Sequence, residues 1–133
     1  FRLTRKKEIS RLIETIFLSE NKKLSQVSFI FISDEEILEL NRKHLQHDYY
    51  TDILTFDLSE SQESIFSEIY ISIDRVRENA KQLNTPSSQE LLRVIVHGVL
   101  HLCGYGDKKK SEISLMRQKE DHYLRLSGKL NKK

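Results

Sequence analysis

The strongest constraint on the fold is an apolar stretch at residues 89–104, which reads QELLRVIVHGVLHLCG. Its hydrophobic residues are nearly continuous, which predicts a helix that is buried on most of its sides. Pro86 interrupts the chain just before it, so Ser87 or Ser88 is expected to cap the helix, and Gly104 is the expected C-terminal stop. This stretch is therefore the expected central helix, around which the other elements pack.

Hydrophobic periodicity predicts four further helices and three strands. The helices repeat apolar residues at three- and four-residue spacing, and the strands are short and rich in β-branched and aromatic residues. The predicted helices cover residues 3–19, 34–44, 74 onward and 111 onward, and the predicted strands cover residues 26–32, 53–58 and 67–73. A polar loop between the last two strands indicates an antiparallel pair. The element order predicts an α+β fold, in which a small mixed β-sheet packs against several helices.

The length of 133 residues is typical of one domain, so residues 1–133 are expected to form a single core. No apolar run approaches the roughly 20 residues that cross a bilayer, and 32% of the residues are charged, which predicts a soluble protein with no membrane partner. The single cysteine excludes an internal disulfide framework, and no basic-then-apolar leader precedes the first helix. A reducing, cytoplasmic location is the expected one.

The formal net charge of +2 conceals an uneven distribution. Residues 34–74 carry a charge of −9, whereas residues 1–33 carry +4 and residues 108–133 carry +6. Such runs are usually solvated helix faces, but basic ends on a small protein also suit a polyanionic partner. A polyanion would approach over the faces that the two ends of the chain build.

His97 and His101 lie four residues apart on the predicted central helix, so their imidazoles share one face, about one turn apart. Gly104 and Gly106 then serve as hinges that let Asp107 fold back, which gives the pattern HxxxHxxGxxD. Without this acid, two histidines on an apolar helix are equally well explained as core residues. Two imidazoles and one carboxylate suit zinc, and three protein ligands leave a position open for water. We therefore predict one Zn²⁺ ion, bound by His97, His101 and Asp107.

Other potential metal ligands fit this site less well. Cys103 follows His101 by two residues and projects about 200° away around the helix, so a buried structural thiol is expected. His44, His47 and Asp48 form a weaker cluster near the end of the second predicted helix. Solvated residues at a helix end and in a loop are the better interpretation of that cluster.

The segment HGVLHLCGYGD at residues 97–107 closely resembles the HGxLHLxGYDH signature of the YbeY family of bacterial ribosomal RNA maturation factors. Residues 40–56 are similar to the family's LN...D-PTDVLSF block, residues 68–72 to its GDIxIS strand, and residues 112–120 to the ExxxMxxxE pattern of its last helix. The resemblance spans residues 27–126. It implies a single-domain, metal-dependent endoribonuclease whose partners are ribosomal RNA and ribosome-associated proteins.

Two residues depart from the family pattern. Asp107 stands where the family has its third histidine ligand, an exchange that zinc tolerates. Leu45 stands where the family has an arginine that is implicated in RNA cleavage. A guanidinium that clamps phosphate must then come from elsewhere, and Arg42, Lys43 and Arg93 are the candidates.

Thr51 and Asp52 precede the second predicted strand and are candidates for lining the catalytic cleft. A capped turn explains this pair equally well. With Arg93, they complete the set of candidate catalytic residues.

The ligand spacing and the family resemblance together imply a zinc-dependent endoribonuclease that cleaves single-stranded RNA in ribosomal RNA maturation and ribosome quality control. The nucleophile is either a water activated by the metal or the RNA 2′-hydroxyl. A rival interpretation, favoured by Leu45, is a non-catalytic ribosome-binding or RNA-binding assembly factor with a structural zinc site. A zinc peptidase fits less well, because Gly98 occupies the position of the general base in HExxHxxGxxH peptidases.

Overall fold

The computed structural model describes residues 3–45, 51–61 and 63–130. Within these ranges the chain forms α1 (Lys6–Ser19), β1 (Leu24–Ile32), α2 (Asp34–Leu45), β2 (Ile53–Asp57), β3 (Ile65–Ser72), α3 (Ile73–Leu83), α4 (Ser87–Leu102) and α5 (Lys110–Leu130). The α+β fold class is confirmed. None of the helices in the described ranges combines the length and the hydrophobicity that a membrane span needs.

The three strands form one mixed sheet in the order β1-β3-β2. The central strand, β3, pairs with β1 in parallel and with β2 in antiparallel orientation. The predicted antiparallel pair is thus confirmed, with Leu54 opposite Tyr70 and Thr55 opposite Ile69. Because alternate residues of a strand project to the same side, Ile69 and Ile71 enter the core together, and neither has any exposed surface.

The central helix of the fold is α4, as the sequence predicts. It packs against α1, α3, α5 and the sheet, and Val96 and Val99 have no exposed surface. Gly98 allows this close approach, since a Cβ atom there would lie 2.7 Å from Cδ1 of Ile53 and 3.2 Å from Cδ1 of Ile69. The glycine beside the first histidine therefore lets α4 pack closely on the sheet, and a larger residue there would shift the Ile53 side chain.

The two ends of α4 are formed in different ways. The prediction that Ser87 or Ser88 caps the helix is wrong, because Pro86 is the N-cap residue and Ser87 is already helical. Pro86 has φ −62° and ψ 143°, and its pyrrolidine ring fixes this φ. Among the described residues, no side chain caps this end of the helix by a hydrogen bond. At the other end the chain leaves the helix through Cys103 and Gly104, whose φ of 104° confirms the predicted stop.

Gly104→Ala is expected to lower the free energy of unfolding by about 1–2 kcal/mol, because a Cβ atom is strained at positive φ. Gly128→Ala is the matched control, since neither glycine has a heavy atom within 4 Å of an ideal Cβ position. Gly128 lies within α5, where alanine is expected to stabilise the protein by up to about 1 kcal/mol. Urea denaturation measures both changes. Equal free energies of unfolding in the two variants would contradict the role assigned to Gly104.

Candidate metal centre and cleft

His97 and His101 project from α4 and meet Asp107, which lies in the loop that follows the helix. The two Nε2 atoms are 2.9 Å apart, and Oδ2 of Asp107 lies 3.2 Å from Nε2 of His101 and 3.3 Å from Nε2 of His97. Tetrahedral zinc, with ligand bonds of about 2.0–2.1 Å, separates its ligand atoms by about 3.3 Å. The two separations from Asp107 match this value and the separation between the histidines is shorter, so the three predicted ligands lie in a triangle close to the size that one zinc ion needs.

The hydrogen-bond partners of Nδ1 determine which nitrogen carries the proton in each histidine. Nδ1 of His101 lies 2.9 Å from the carbonyl oxygen of Tyr105, which only accepts hydrogen bonds, so this Nδ1 carries a proton. Nδ1 of His97 lies 2.7 Å from Oε2 of Glu120, and a carboxylate likewise only accepts. In the neutral form of each ring, Nε2 then presents a lone pair toward the Asp107 carboxylate. Three such acceptors repel one another unless a proton or a metal ion lies between them, so the donor set fits a metal ion.

The electrostatic surroundings of His97 favour positive charge on its ring. Burial lowers the pKa of His97, but its hydrogen bond to Glu120 and the charges of Glu120 and Asp107 outweigh this effect and raise the pKa above its ordinary value. Burial raises the pKa of Glu120, but the hydrogen bonds from His97 and Arg93 lower it. On balance, the pKa of Glu120 is below its ordinary value. Glu120 is therefore ionised at neutral pH and acts as the acceptor for His97.

Glu120 belongs to this centre although it is not among the predicted ligands or catalytic residues. It lies on α5, is 5% exposed, and accepts a hydrogen bond from Nη1 of Arg93 at 2.8 Å. Nη2 of Arg93 donates to Oδ1 of Asp121 at 2.9 Å, so the guanidinium is bound by two carboxylates. Glu120 is the last glutamate of the ExxxMxxxE match, but its separation of 23 residues from His97 conceals the contact.

The loop between α4 and α5 is held at its far end by Glu112. Oε1 of Glu112 accepts the backbone N–H groups of Lys108 at 3.2 Å and Lys109 at 2.9 Å, which is one half of a capping box. The expected role of Gly106 as a hinge is corrected, because Gly104 is the glycine with positive φ. A Cβ atom at Gly106 would lie 2.6 Å from Oε2 of Glu112. Gly106 therefore leaves space for the carboxylate that fixes the loop.

A cleft of about 380 Å³ opens beside the triad. Its acidic lining residues are Asp52, Glu90, Asp107 and Glu120, and its basic lining residues are Arg93 and Arg117. Met116 contributes to the apolar part of the wall and is 2% exposed. Burial raises the pKa of Asp52 above its ordinary value, although the charge of His97 opposes this shift. The structure thus places two of the three candidate catalytic residues, Asp52 and Arg93, in the same cleft as the triad.

The remaining sequence candidates are not among the triad or the cleft lining, or lie outside the described residues. The hydroxyl of Thr51 donates to the backbone carbonyl two residues further on at 3.3 Å, a local turn contact. His44 is exposed, and its ring contacts an aromatic ring of β2 edge-on. His47 and Asp48 lie outside the described residues, as does the side chain of Leu45.

Cys103 follows α4 and takes no part in the triad. It is 8% exposed, and burial raises the pKa of its thiol to about 12. A thiol in this environment is inert toward metals and oxidants at neutral pH. The prediction of a buried structural thiol is confirmed.

Comparison with known proteins yields one family. The family model described as Endoribonuclease YbeY matches residues 2–128. A Parabacteroides distasonis protein with the description "Endoribonuclease YbeY" is 47% identical over 120 residues, which cover 90% of this chain and 84% of that protein. A Flavobacterium psychrophilum protein with the same description is 48% identical over 114 residues, which cover 86% and 81% of the two chains.

A solved structure shares the fold. The solution structure of TM1509 from Thermotoga maritima matches with a TM-score of 0.59 and 31% sequence identity, over 95% of this chain and 85% of that chain. The family match covers nearly the whole sequence, including the HxxxHxxGxxD segment and the residues that bind Nδ1 of its two histidines, Glu120 and Tyr105. The chain therefore belongs to the endoribonuclease YbeY family.

Proposed function

We propose that this protein is a zinc-dependent endoribonuclease that cleaves single-stranded RNA in ribosomal RNA maturation and ribosome quality control. The observation that carries the proposal is the triangle of acceptor atoms from His97, His101 and Asp107, which borders the cleft through His97 and Asp107. Membership of the endoribonuclease YbeY family supplies the reaction class. In this proposal residues 1–133 act as one cytoplasmic domain, with ribosomal RNA and ribosome-associated proteins as partners.

In the proposed site, His97, His101 and Asp107 hold one zinc ion. Zinc supplies a Lewis acid for a phosphoryl oxygen of the RNA when it is bound. Glu120 and the carbonyl of Tyr105 keep both imidazoles in the tautomer that a ligand needs. The chain itself thus contributes a prearranged set of donors, and little reorganisation is needed when the ion binds.

Arg93 acts in this proposal as a positioning residue. Its terminal nitrogens are bound to Glu120 and Asp121, so it holds Glu120 against the metal ligand and offers no free guanidinium to RNA. Asp52 forms part of the RNA-facing wall of the cleft. Thr51 supports Asp52 through the hydrogen bond that holds the turn before β2.

Arg117 is the basic side chain that we assign to the RNA phosphate. Among the described residues, it and Arg93 are the basic residues that line the cleft. The side chain of Arg117 is 63% exposed, and its contact with Glu120 spans 3.8 Å, so its guanidinium is available to a second anion. Lys43, a sequence candidate for this role, instead pairs with Glu39 on α2 at 3.2 Å.

Metal content tests the ligand assignment. The native protein is expected to hold one equivalent of zinc by mass spectrometry of the metal, whereas His101→Ala and Asp107→Ala are expected to bind zinc at least about 100-fold more weakly. Cys103→Ala is the matched control, because it removes a neighbouring sulfur that does not face the triad, and it is expected to retain zinc. Full zinc occupancy in Asp107→Ala would refute the assignment.

Cleavage separates the enzyme from the non-catalytic binding factor. With single-stranded fragments of ribosomal RNA, the native protein is expected to cleave, and His97→Ala or chelator treatment is expected to reduce the rate by about 100-fold or more, since transition-state charge loses its cation. The binding factor, which Leu45 favours, predicts RNA binding with equal background cleavage in every sample. That outcome would defeat the enzyme proposal.

Arg117→Ala is expected to weaken RNA binding without changing the zinc content. For single-stranded RNA, the slope of log K against log salt should fall by about 0.7 for each phosphate contact that is lost. Arg125→Ala is the matched control, since this arginine lies on the same helix, is exposed and borders a separate groove. The measurement is a salt titration of RNA binding by fluorescence anisotropy. Equal slopes in the native protein and in Arg117→Ala would rule out this phosphate contact.

A further inference from the structure

Glu20 follows α1 and lies in a polar cluster apart from the metal triad and its cleft. Its carboxylate accepts hydrogen bonds from the hydroxyl of Tyr105 at 2.6 Å and from that of Tyr123, and it pairs with Nζ of Lys119 at 3.3 Å. The side chain of Glu20 is 11% exposed, and Tyr123 is 1% exposed. Burial raises the pKa of Glu20, but the hydrogen bonds from its three partners lower it below its ordinary value. The cluster is thus built around one ionised, nearly buried acceptor.

Tyr105 connects this cluster to the metal triad. Its hydroxyl donates to Glu20, while its carbonyl oxygen accepts a hydrogen bond from Nδ1 of His101 at 2.9 Å. Its backbone N–H donates to the carbonyl of Leu100 at 3.1 Å, and Nζ of Lys119 lies 5.5 Å from the centre of its ring. Hydrogen bonds thus hold both the side chain and the backbone of Tyr105, so the orientation of its ring is linked to that of its carbonyl group.

The loop that carries Asp107 is held at both ends by carboxylates. Glu20 fixes Tyr105, two residues before Asp107, and Glu112 binds the backbone of Lys108 and Lys109, directly after it. An aspartate reaches less far from its backbone than the histidine that stands at this position in the family signature. The placement of the loop backbone therefore decides whether the Asp107 carboxylate reaches the two imidazoles.

We infer that Glu20 is a positioning residue of the metal centre, because it fixes Tyr105 and thereby holds both the acceptor of His101 and the start of the loop that carries Asp107. The inference rests on the proposed function, since it takes the triad to be a metal site. Charge-assisted hydrogen bonds such as that between Glu20 and Tyr105 are among the stronger contacts in a protein. Outer partners of this kind tune a metal site through the orientation of its ligands.

Zinc affinity, measured by competition with a chromophoric chelator at pH 7, tests this inference without RNA. Tyr105→Phe removes the hydroxyl and leaves the carbonyl in place, and it is expected to weaken zinc binding by about 10-fold. Glu20→Gln is expected to act in the same direction. The double variant should bind zinc no more weakly than the weaker single variant, because both substitutions break one link.

Tyr123→Phe is the matched control, because it removes the other hydroxyl on the same carboxylate without touching Tyr105. It is expected to lower the melting temperature while it leaves zinc affinity within about twofold, and near-UV circular dichroism checks that each variant is folded. Unchanged zinc affinity in Tyr105→Phe, or an equal loss in Tyr123→Phe, would overturn the inference. Failure of the native protein to bind zinc would instead overturn the proposed metal site, so the two failures are distinguishable.

Discussion

The candidate metal site depends on two hydrogen bonds that fix which ring nitrogen of each histidine carries a proton. Glu120 holds the proton of His97 on Nδ1, and the carbonyl of Tyr105 does the same for His101. With both rings neutral, these protons leave two Nε2 lone pairs facing each other at 2.9 Å, an arrangement that is repulsive unless a proton or a metal ion lies between them. Arg93 donates to Glu120, and Glu20 accepts from the hydroxyl of Tyr105, so both polar groups contact the partners of these two bonds.

Helix α4 both packs in the hydrophobic core and carries the two histidines of the candidate metal site. Gly98 brings α4 against the sheet on one side, while His97 turns its ring toward Glu120 and the cleft. A glutamate at position 98, as in zinc peptidases of the HExxH type, would have to displace Ile53 and Ile69. Packing therefore gives a physical reason for the glycine that replaces the general base of those peptidases.

Local patterns in the sequence predict the parts of the site that depend on helix geometry. The four-residue spacing of His97 and His101 and the positive φ of Gly104 follow from one helix and its end, and both agree with the structure. Contacts made by tertiary packing could not be predicted, because no local signal joins Glu120 to His97 across 23 residues or Glu20 to Tyr105 across 85. Gly106 shows the intermediate case: a glycine was expected to matter there, but its reason is the nearby Glu112 carboxylate.

The most direct test of this account is the protonation of the two imidazoles. Long-range proton–nitrogen NMR spectra of the ¹⁵N-labelled, zinc-loaded protein report which ring nitrogen of each histidine carries a proton and which binds the metal. Protonated Nδ1 and metal-bound Nε2 are expected in both His97 and His101. A proton on Nε2 of either histidine, or zinc bound through Nδ1, would contradict it.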